Sequence, residues 1–433
     1  MAPTGKPLKP LKPLTSFTSF ASFASGRSVG PHAVVVGGGI GGLTTAIALH
    51  RSGWRVTVLE RAASLEPVGS GIGLAPNAQR ALDVLGLGDA VRELAAWQGV
   101  GGLRAQGGRW LVRTTSAATA REFGGALVLL HRATLVDLLV AALPADSLRT
   151  GTDARLVDRG GPGRPAVVRT SQGDIEADLV VGADGINSGV RKELFPDHPG
   201  PEYTGFTAWR LVVPAPERPF APHETWGRGG VWGTQPLKDG RIYAYGTALV
   251  PPGTRAPDDE KAELARRFCD WHDPIPEIVA AARPEDVLRN DVWHLATPLA
   301  AHHRGRVALV GDAAHAMAPT LGQGGNQAIE DGVVLAHHAR PGGDLFAGLA
   351  AYSAARVPRT TAVVRRAART ARLNHLTDPR LITARDTLVR AAHRLGPNLI
   401  LRGFSSIADW QPPGPPYAAE TDAGAHGREP ARR

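Results

Sequence analysis

Three glycines, three acids and a second glycine-rich turn are the residues from which chemistry can be read. Gly37, Gly39 and Gly42 carry the spacing G-x-G-x-x-G. Without side chains there, a chain can turn tightly, approach a pyrophosphate with its backbone and let a helix pack closely on a strand. Glu60 follows Gly37 by 23 residues, near the distance expected for an acid that hydrogen-bonds ribose hydroxyls. Asp312 closes an apolar run and is followed by His315, Pro319, Gly322, Gly324, Gly325 and Asn326. A carboxylate at the end of a buried strand can accept from a polyol hydroxyl, and a glycine turn opening a helix offers backbone N–H groups to negative charge. Asp184 opens a further compact stretch, Asp-Gly-Ile-Asn-Ser-Gly-Val-Arg, ending at Arg191.

These residues need particular elements to position them. The β-branched run Ala33–Val36, stopped by glycines and followed by Leu43, Ala46, Ile47 and Leu49, predicts strand, turn and helix, with Gly53 as the helix stop and Arg55–Leu59 as the next strand. This unit binds nicotinamide and flavin dinucleotides alike, so alone it does not identify the cofactor. Val68 to Asn77, with Gly69, Gly71 and Gly73, reads as a loop against which a cofactor or only solvent could lie. A helix from about Pro76 to Leu85, strands within 103–112 and 127–130, and a helix after Arg132 follow. Weaker strand signals at 153–158 and 166–170 precede a buried strand at 179–181. Phe206–Val213, Val231–Gln235 and Ile242–Val250 alternate as an aromatic-rich antiparallel sheet carrying Trp209, Trp226, Trp232, Tyr243 and Tyr245. A helix is expected over 257–271, a buried strand over 306–310 and a helix from about Gln327 to His338. The last part is helical: Leu345–Arg372, interrupted at Pro358, then Pro379–Leu395.

Composition narrows the class. A chain of 433 residues with 43% hydrophobic and 21% charged residues is that of a soluble globular protein with more than one core. The single cysteine, Cys269, permits no intrachain disulfide and suits a reducing cytoplasm. No apolar run reaches membrane-spanning length. The net charge of +9 is uneven, residues 1–30 carrying +4, residues 351–400 carrying +8 and the rest −3. The basic excess therefore lies outside the nucleotide-binding and central segments, reads as a solvated helix face and gives no sign of a nucleic-acid partner. Residues 1–30, with three Lys-Pro-Leu repeats, are expected to be disordered, as is the tail from Gln411. His302, His303 and His315 lack metal-site spacing, so no metal is expected.

The Asp184–Arg191 segment resembles the D-G-x-x-S-x-V-R element, and Gly311–His315 with the residues to Asn326 resembles the G-D motif, of class A, single-component FAD-dependent monooxygenases. With the opening glycines and Glu60 the resemblance covers residues 32 to about 375, and Arg132 and the strand Thr207-Ala208-Trp209-Arg210 extend it towards the salicylate and 3-hydroxybenzoate hydroxylases. It implies an α/β fold: a Rossmann-type FAD-binding domain interleaved with an antiparallel-sheet substrate domain and followed by C-terminal helices. The corresponding parts are a disordered extension over 1–30, FAD-binding segments over 31–200 and 296–375, a substrate sheet over 201–295, and a C-terminal helix and tail over 376–433. By this resemblance Gly37, Gly39, Gly42, Glu60, Arg61, Arg132, Asp184, Asp312, Gly322, Gly324, Gly325 and Asn326 hold FAD, while Arg191 is structural. Pro319 lies near the reactive carbon of the flavin, and Arg210 faces it from the sheet. Trp226, Trp232 and Tyr243 are the substrate-wall candidates.

The implied reaction takes NADH or NADPH as a transient donor, since no second dinucleotide fingerprint occurs, and O2 as co-substrate. A flavin C4a-hydroperoxide then hydroxylates or epoxidises an aromatic or polycyclic small molecule. Two readings on the same fold stay open here: a reductase or dehydrogenase of an isoprenoid-like substrate, and a Baeyer–Villiger monooxygenase. No residue declares itself as the base; His223, His294, Tyr243 and Tyr245 are candidates by type. A monomer or homodimer is expected.

Overall fold

The apolar run becomes the strand His32–Val36, buried along its whole length, at the centre of a six-stranded sheet. The computed structural model describes residues 30–65, 70–96, 99–396 and 406–414. The extension expected over 1–30 lies, but for Gly30, outside these residues, as do Val68, Gly69 and the tail beyond Gly414. The sheet runs in the order His303–Arg304, Val307–Leu309, Leu179–Gly182, His32–Val36, Arg55–Leu59, Leu148–Arg149, parallel except for its first strand. Its neighbours at the centre come from three distant chain regions. The ends of the 32, 179 and 307 strands therefore lead into Gly37, Asp184 and Asp312 side by side, at the carboxyl edge where parallel sheets place ligands.

Small residues bring the helices close. The helix Ile40–Arg51 packs on Gly324–His338, and a Cβ on Gly332 would stand 2.9 Å from the backbone nitrogen of Thr45. Leu43, Ile47, Leu49, Ile329 and Val333 fill the resulting core. Burying each such side chain contributes about 1.5–3 kcal/mol.

The second large sheet has seven strands in the order Leu288–His294, Glu202–Pro214, Arg241–Leu249, Gly230–Pro236, His223–Trp226, Val100–Ala105, Trp110–Thr115. Every pairing is antiparallel except that between the 223 and 100 strands. One face carries Trp209, Leu211, Trp232 and Ala244 and packs on the helices Glu260–Phe268 and Ile275–Ala281. On the other face Phe206 and Ala208 pack on Met317, Ala318 and the helix Leu345–Asn374, while residues farther along remain reachable by solvent. That long helix passes through Pro358 without the expected interruption. The proline costs roughly 3 kcal/mol, which the burial of Tyr352, Arg356, Thr360 and Val363 on either side of it offsets.

The 71–74 stretch, read from sequence as loop, is a strand. Gly71–Leu74 pairs antiparallel with Val128–His131, forming a two-stranded ribbon.

Candidate functional site

The opening glycines do three different jobs. Gly37 has φ +111°, and a Cβ there would stand 2.3 Å from the carbonyl oxygen of Ala183. A Cβ on Gly42 would lie 2.0 Å from the Gly37 carbonyl oxygen, so helix and turn touch at that point. Nothing lies within 4 Å of a Cβ on Gly39. Its face is open ahead of the amino-terminal end of the helix, where unpaired N–H groups favour an anion. Glu60 is fixed beside the turn: its Oε2 accepts from Gly38 N at 2.6 Å and its Oε1 from Ala62 N at 2.8 Å. Arg61 is exposed next to it.

Asp312 lies exposed at the carboxyl end of its strand and makes no hydrogen bond among the described residues. Protein nevertheless surrounds it on its inner sides, and this desolvation pushes its carboxyl up from the ordinary value, against the pull of His315, Arg132 and Arg191. A polar group reached by water yet held among protein is disposed to meet a ligand hydroxyl. Its position is braced from below: Asp331 accepts from Gly311 N at 2.8 Å and pairs with His315 Nε2 and Arg356 Nε at 2.6 Å each. Burial pushes the Asp331 carboxyl up, but His315 and Arg356 outweigh it and hold it well below the usual carboxylate range. Glu330 pairs in turn with Arg356 and Arg359.

The turn after Pro319 adopts φ +61° at Gly322 and opens the helix at Gly324. Pro319 itself is exposed. A Cβ on Gly324 would approach Asp312 Oδ1 to 4.0 Å, and one on Gly325 would meet Ile72 of the ribbon at 2.8 Å. The Asn326 side chain is fully buried and points inward. Its Oδ1 accepts from Ala75 N at 2.8 Å, and its Nδ2 donates to Gly73 O at 2.8 Å and Gly322 O at 2.6 Å. It shapes the turn. Asp184 is likewise committed locally, accepting from Ser188 Oγ at 2.5 Å and Val190 N at 3.1 Å to cap the helix Gly189–Leu194. Arg191, fully buried, donates to Ala313 O at 3.1 Å and Ile186 O at 2.6 Å, tying this loop to the Asp312 segment. Arg132 opens its helix exposed, its N–H donating to Ser70 O at 2.9 Å.

The ribbon joins this cradle to the antiparallel sheet. A Cβ on Gly71 would stand 2.5 Å from the Tyr243 ring, so sheet and ribbon meet there. Arg210 neighbours the Tyr243 hydroxyl and donates to Asn290 Oδ1 at 2.9 Å. Register places Arg210, Tyr245, Gly233 and Glu224 in one row across four strands. A Cβ on Gly233 would fall 2.1 Å from the Tyr245 ring, so only glycine lets that ring lie along the sheet. Tyr245 donates its hydroxyl proton to Glu224 Oε2, and Trp226 Nε1 donates to Glu224 Oε1 at 2.5 Å. Burial pushes up the carboxyl of Glu224 and both tyrosine hydroxyls. Neither tyrosine is therefore a base near neutral pH, and Tyr245 acts as a donor.

Two expectations fail. Trp232 has no exposed surface and packs 5.1 Å from Phe268 on the opposite face, because strand alternation turns it away from Tyr243. His223 is on that face too, buried beside Ala221 O, with burial lowering its pKa to about 4. Glu224, Tyr245 as its donor, and Gly233 were missed as a group. The signal was the strand His223–Trp226, too short and polar to stand out, whose odd and even positions divide between the two faces.

The residues present fit FAD. The open Gly39 face, the anchored Glu60, the unengaged Asp312 and the backbone of the Gly322–Gly325 turn stand together at the carboxyl edge of the parallel sheet. Comparison with known proteins agrees. The family described as "FAD binding domain" matches residues 32–367. Aurachin C monooxygenase/isomerase of Stigmatella aurantiaca is 39% identical over 75% of this chain and 85% of its own. FAD-dependent urate hydroxylase of Klebsiella pneumoniae is 31% identical over 81% of this chain and 92% of its own. The crystal structure of Klebsiella pneumoniae HpxO complexed with FAD and uric acid superposes with TM-score 0.77 at 27% identity, covering 87% of this chain and 97% of that one.

Proposed function

The chain belongs to the FAD-binding-domain family of class A flavin monooxygenases, and we propose that it oxygenates an aromatic or polycyclic small molecule, with NADH or NADPH as reductant and O2 as co-substrate. The contact of Gly71 with Tyr243 carries this reading, because it sets the polar row of the sheet against the ribbon that borders the Asp312 cradle. The relatives include hydroxylases named for urate and for 3-hydroxybenzoate, both aromatic.

FAD, when bound, accepts hydride and activates dioxygen. The Gly39 backbone and the helix behind it would hold its pyrophosphate, Glu60 a ribose, Asp312 its ribityl chain and the N–H groups after Gly322 its pyrimidine edge. Arg210, beside the Tyr243 hydroxyl, offers positive charge to oxygen on the substrate ring and stabilises negative charge developing there. The two tyrosine rings, 5.8 Å apart, form an apolar floor that keeps water from the reacting ring.

Replacing Arg210 with Ala tests this role. The variant is expected to keep FAD and still oxidise NAD(P)H, but to release hydrogen peroxide in place of oxygenated product. Product formation coupled as in the unaltered enzyme would remove Arg210 from the role.

A further inference from the structure

We infer that Glu224 selects the substrate: it accepts a hydrogen bond from a ring N–H, so that the pocket takes a neutral nitrogen heteroaromatic in preference to an aromatic carboxylate. The inference rests on the reading of this recess as the substrate site and goes beyond it by assigning the substrate class.

Three observations carry it. First, the row Arg210, Tyr245, Gly233, Glu224 sets a cation at one side of a flat floor and a carboxyl at the other. Their backbones are three strand spacings apart, about 14 Å, and the Tyr245 ring lies over Gly233 between them. Second, Glu224 is oriented as an acceptor. Trp226 Nε1 can only donate and occupies Oε1, while the Tyr245 hydroxyl donates to Oε2, leaving each oxygen with lone-pair capacity and no rotational freedom. Third, Glu224 remains partly accessible, as do Arg210, Tyr243, Tyr245 and Trp226, whereas the opposite face beneath them is buried.

A planar guest on this floor meets opposite polarities at its two ends. Oxygen of the ring faces Arg210, and hydrogen on nitrogen faces Glu224. A carboxylate at the Glu224 end would set two acids together without a cation between them, which is unfavourable away from bulk water.

The test uses the FAD-loaded protein and three ring probes, 4-quinolone, whose carbonyl oxygen and N–H lie at opposite ends of one ring, its oxygen isostere chromone, and salicylate, with affinity read from the perturbation of flavin absorbance. The unaltered protein is expected to bind 4-quinolone tighter than chromone by on the order of tenfold or more, the worth of a hydrogen bond to a charged group. Glu224→Gln, which keeps the shape but not the charge, is expected to bring that ratio to within about twofold and to bind salicylate tighter than the unaltered protein does. Glu224→Gln is also expected to keep the FAD affinity and melting temperature of the unaltered protein, which shows that its lost preference is not general damage. A ratio near one in the unaltered protein, tighter binding of salicylate than of 4-quinolone, no binding of 4-quinolone, or an unchanged ratio in Glu224→Gln overturns the inference. Failure of the monooxygenase reading would look different: the binding preference would stand while no oxygen reached any bound ring.

Discussion

Asp312 is the side chain on which cofactor retention should depend most. It is reachable by water, desolvated by the protein around it and unbonded among the described residues, whereas Asn326, Asp184 and Arg191 are spent on shaping the loops. Removing the Asp312 carboxylate takes away one hydrogen bond to a charged acceptor, about 1.5–3 kcal/mol, or roughly 10- to 150-fold in affinity. Asp312→Ala is therefore expected to lose FAD on gel filtration and to show a weakened dissociation constant by fluorescence titration, while its apoprotein melts at an undiminished temperature. Retention of FAD as in the unaltered protein would remove that role. The same carboxylate was legible in the sequence because an acid at the end of an apolar run is unusual. Glu224 was not, because what singles it out is the row it completes across four strands, and register is set by pairing rather than by local composition.

At the scale of elements, the turn from strand His32–Val36 into helix Ile40–Arg51 separates folding from binding within six residues. Gly42 is a folding glycine: a methyl group there would collide with Gly37 O at 2.0 Å. Gly39 is a binding glycine, with open space around it. Gly39→Ala is thus expected to leave the apoprotein melting temperature within about 1 °C, a shift of about 1 kcal/mol or less for a chain of this size, and to weaken FAD binding. Gly42→Ala should lower both stability and FAD binding. Equal melting behaviour of the two apoproteins in thermal scans would contradict the distinction. Strand, helix and glycine turn were predictable here because periodicity and glycine chemistry agree over a short span. The Gly71–Leu74 strand and the continuation of the long helix through Pro358 were not. Each opposes its local propensity and is held by distant packing, the one by pairing with Val128–His131 and the other by buried neighbours such as Tyr352 and Val363.

Across the whole molecule, a parallel sheet assembled from remote segments is locked to its surroundings partly by buried imidazoles. His32 bridges two elements, its Nε2 meeting Thr57 Oγ1 at 3.0 Å and its Nδ1 meeting Glu176 O at 3.3 Å. Burial, aided by Arg55, lowers its pKa from 6.5 to about 4. The unfolded chain therefore takes up this proton first as pH falls, so the contribution of His32 is fully present above pH 6.5 and is lost progressively down to about pH 4. The unaltered protein should lose more stability across that interval than His32→Asn does, in chemical denaturation curves at a series of pH values. Identical pH slopes would show that the imidazole is not held neutral by the fold. Among the described residues no helix is long and apolar enough to cross a membrane.

The central claim is that one site, built from three separated segments and faced by a polar sheet, transfers oxygen from dioxygen to an aromatic ring. The most direct measurement supplies the FAD-loaded protein with NADH or NADPH, isotopically heavy dioxygen and 4-quinolone, and weighs the product by mass spectrometry. The account predicts one heavy oxygen atom in each product molecule and ring-stimulated consumption of the nicotinamide. Product oxygen drawn from water, or turnover that proceeds without dioxygen, would contradict it.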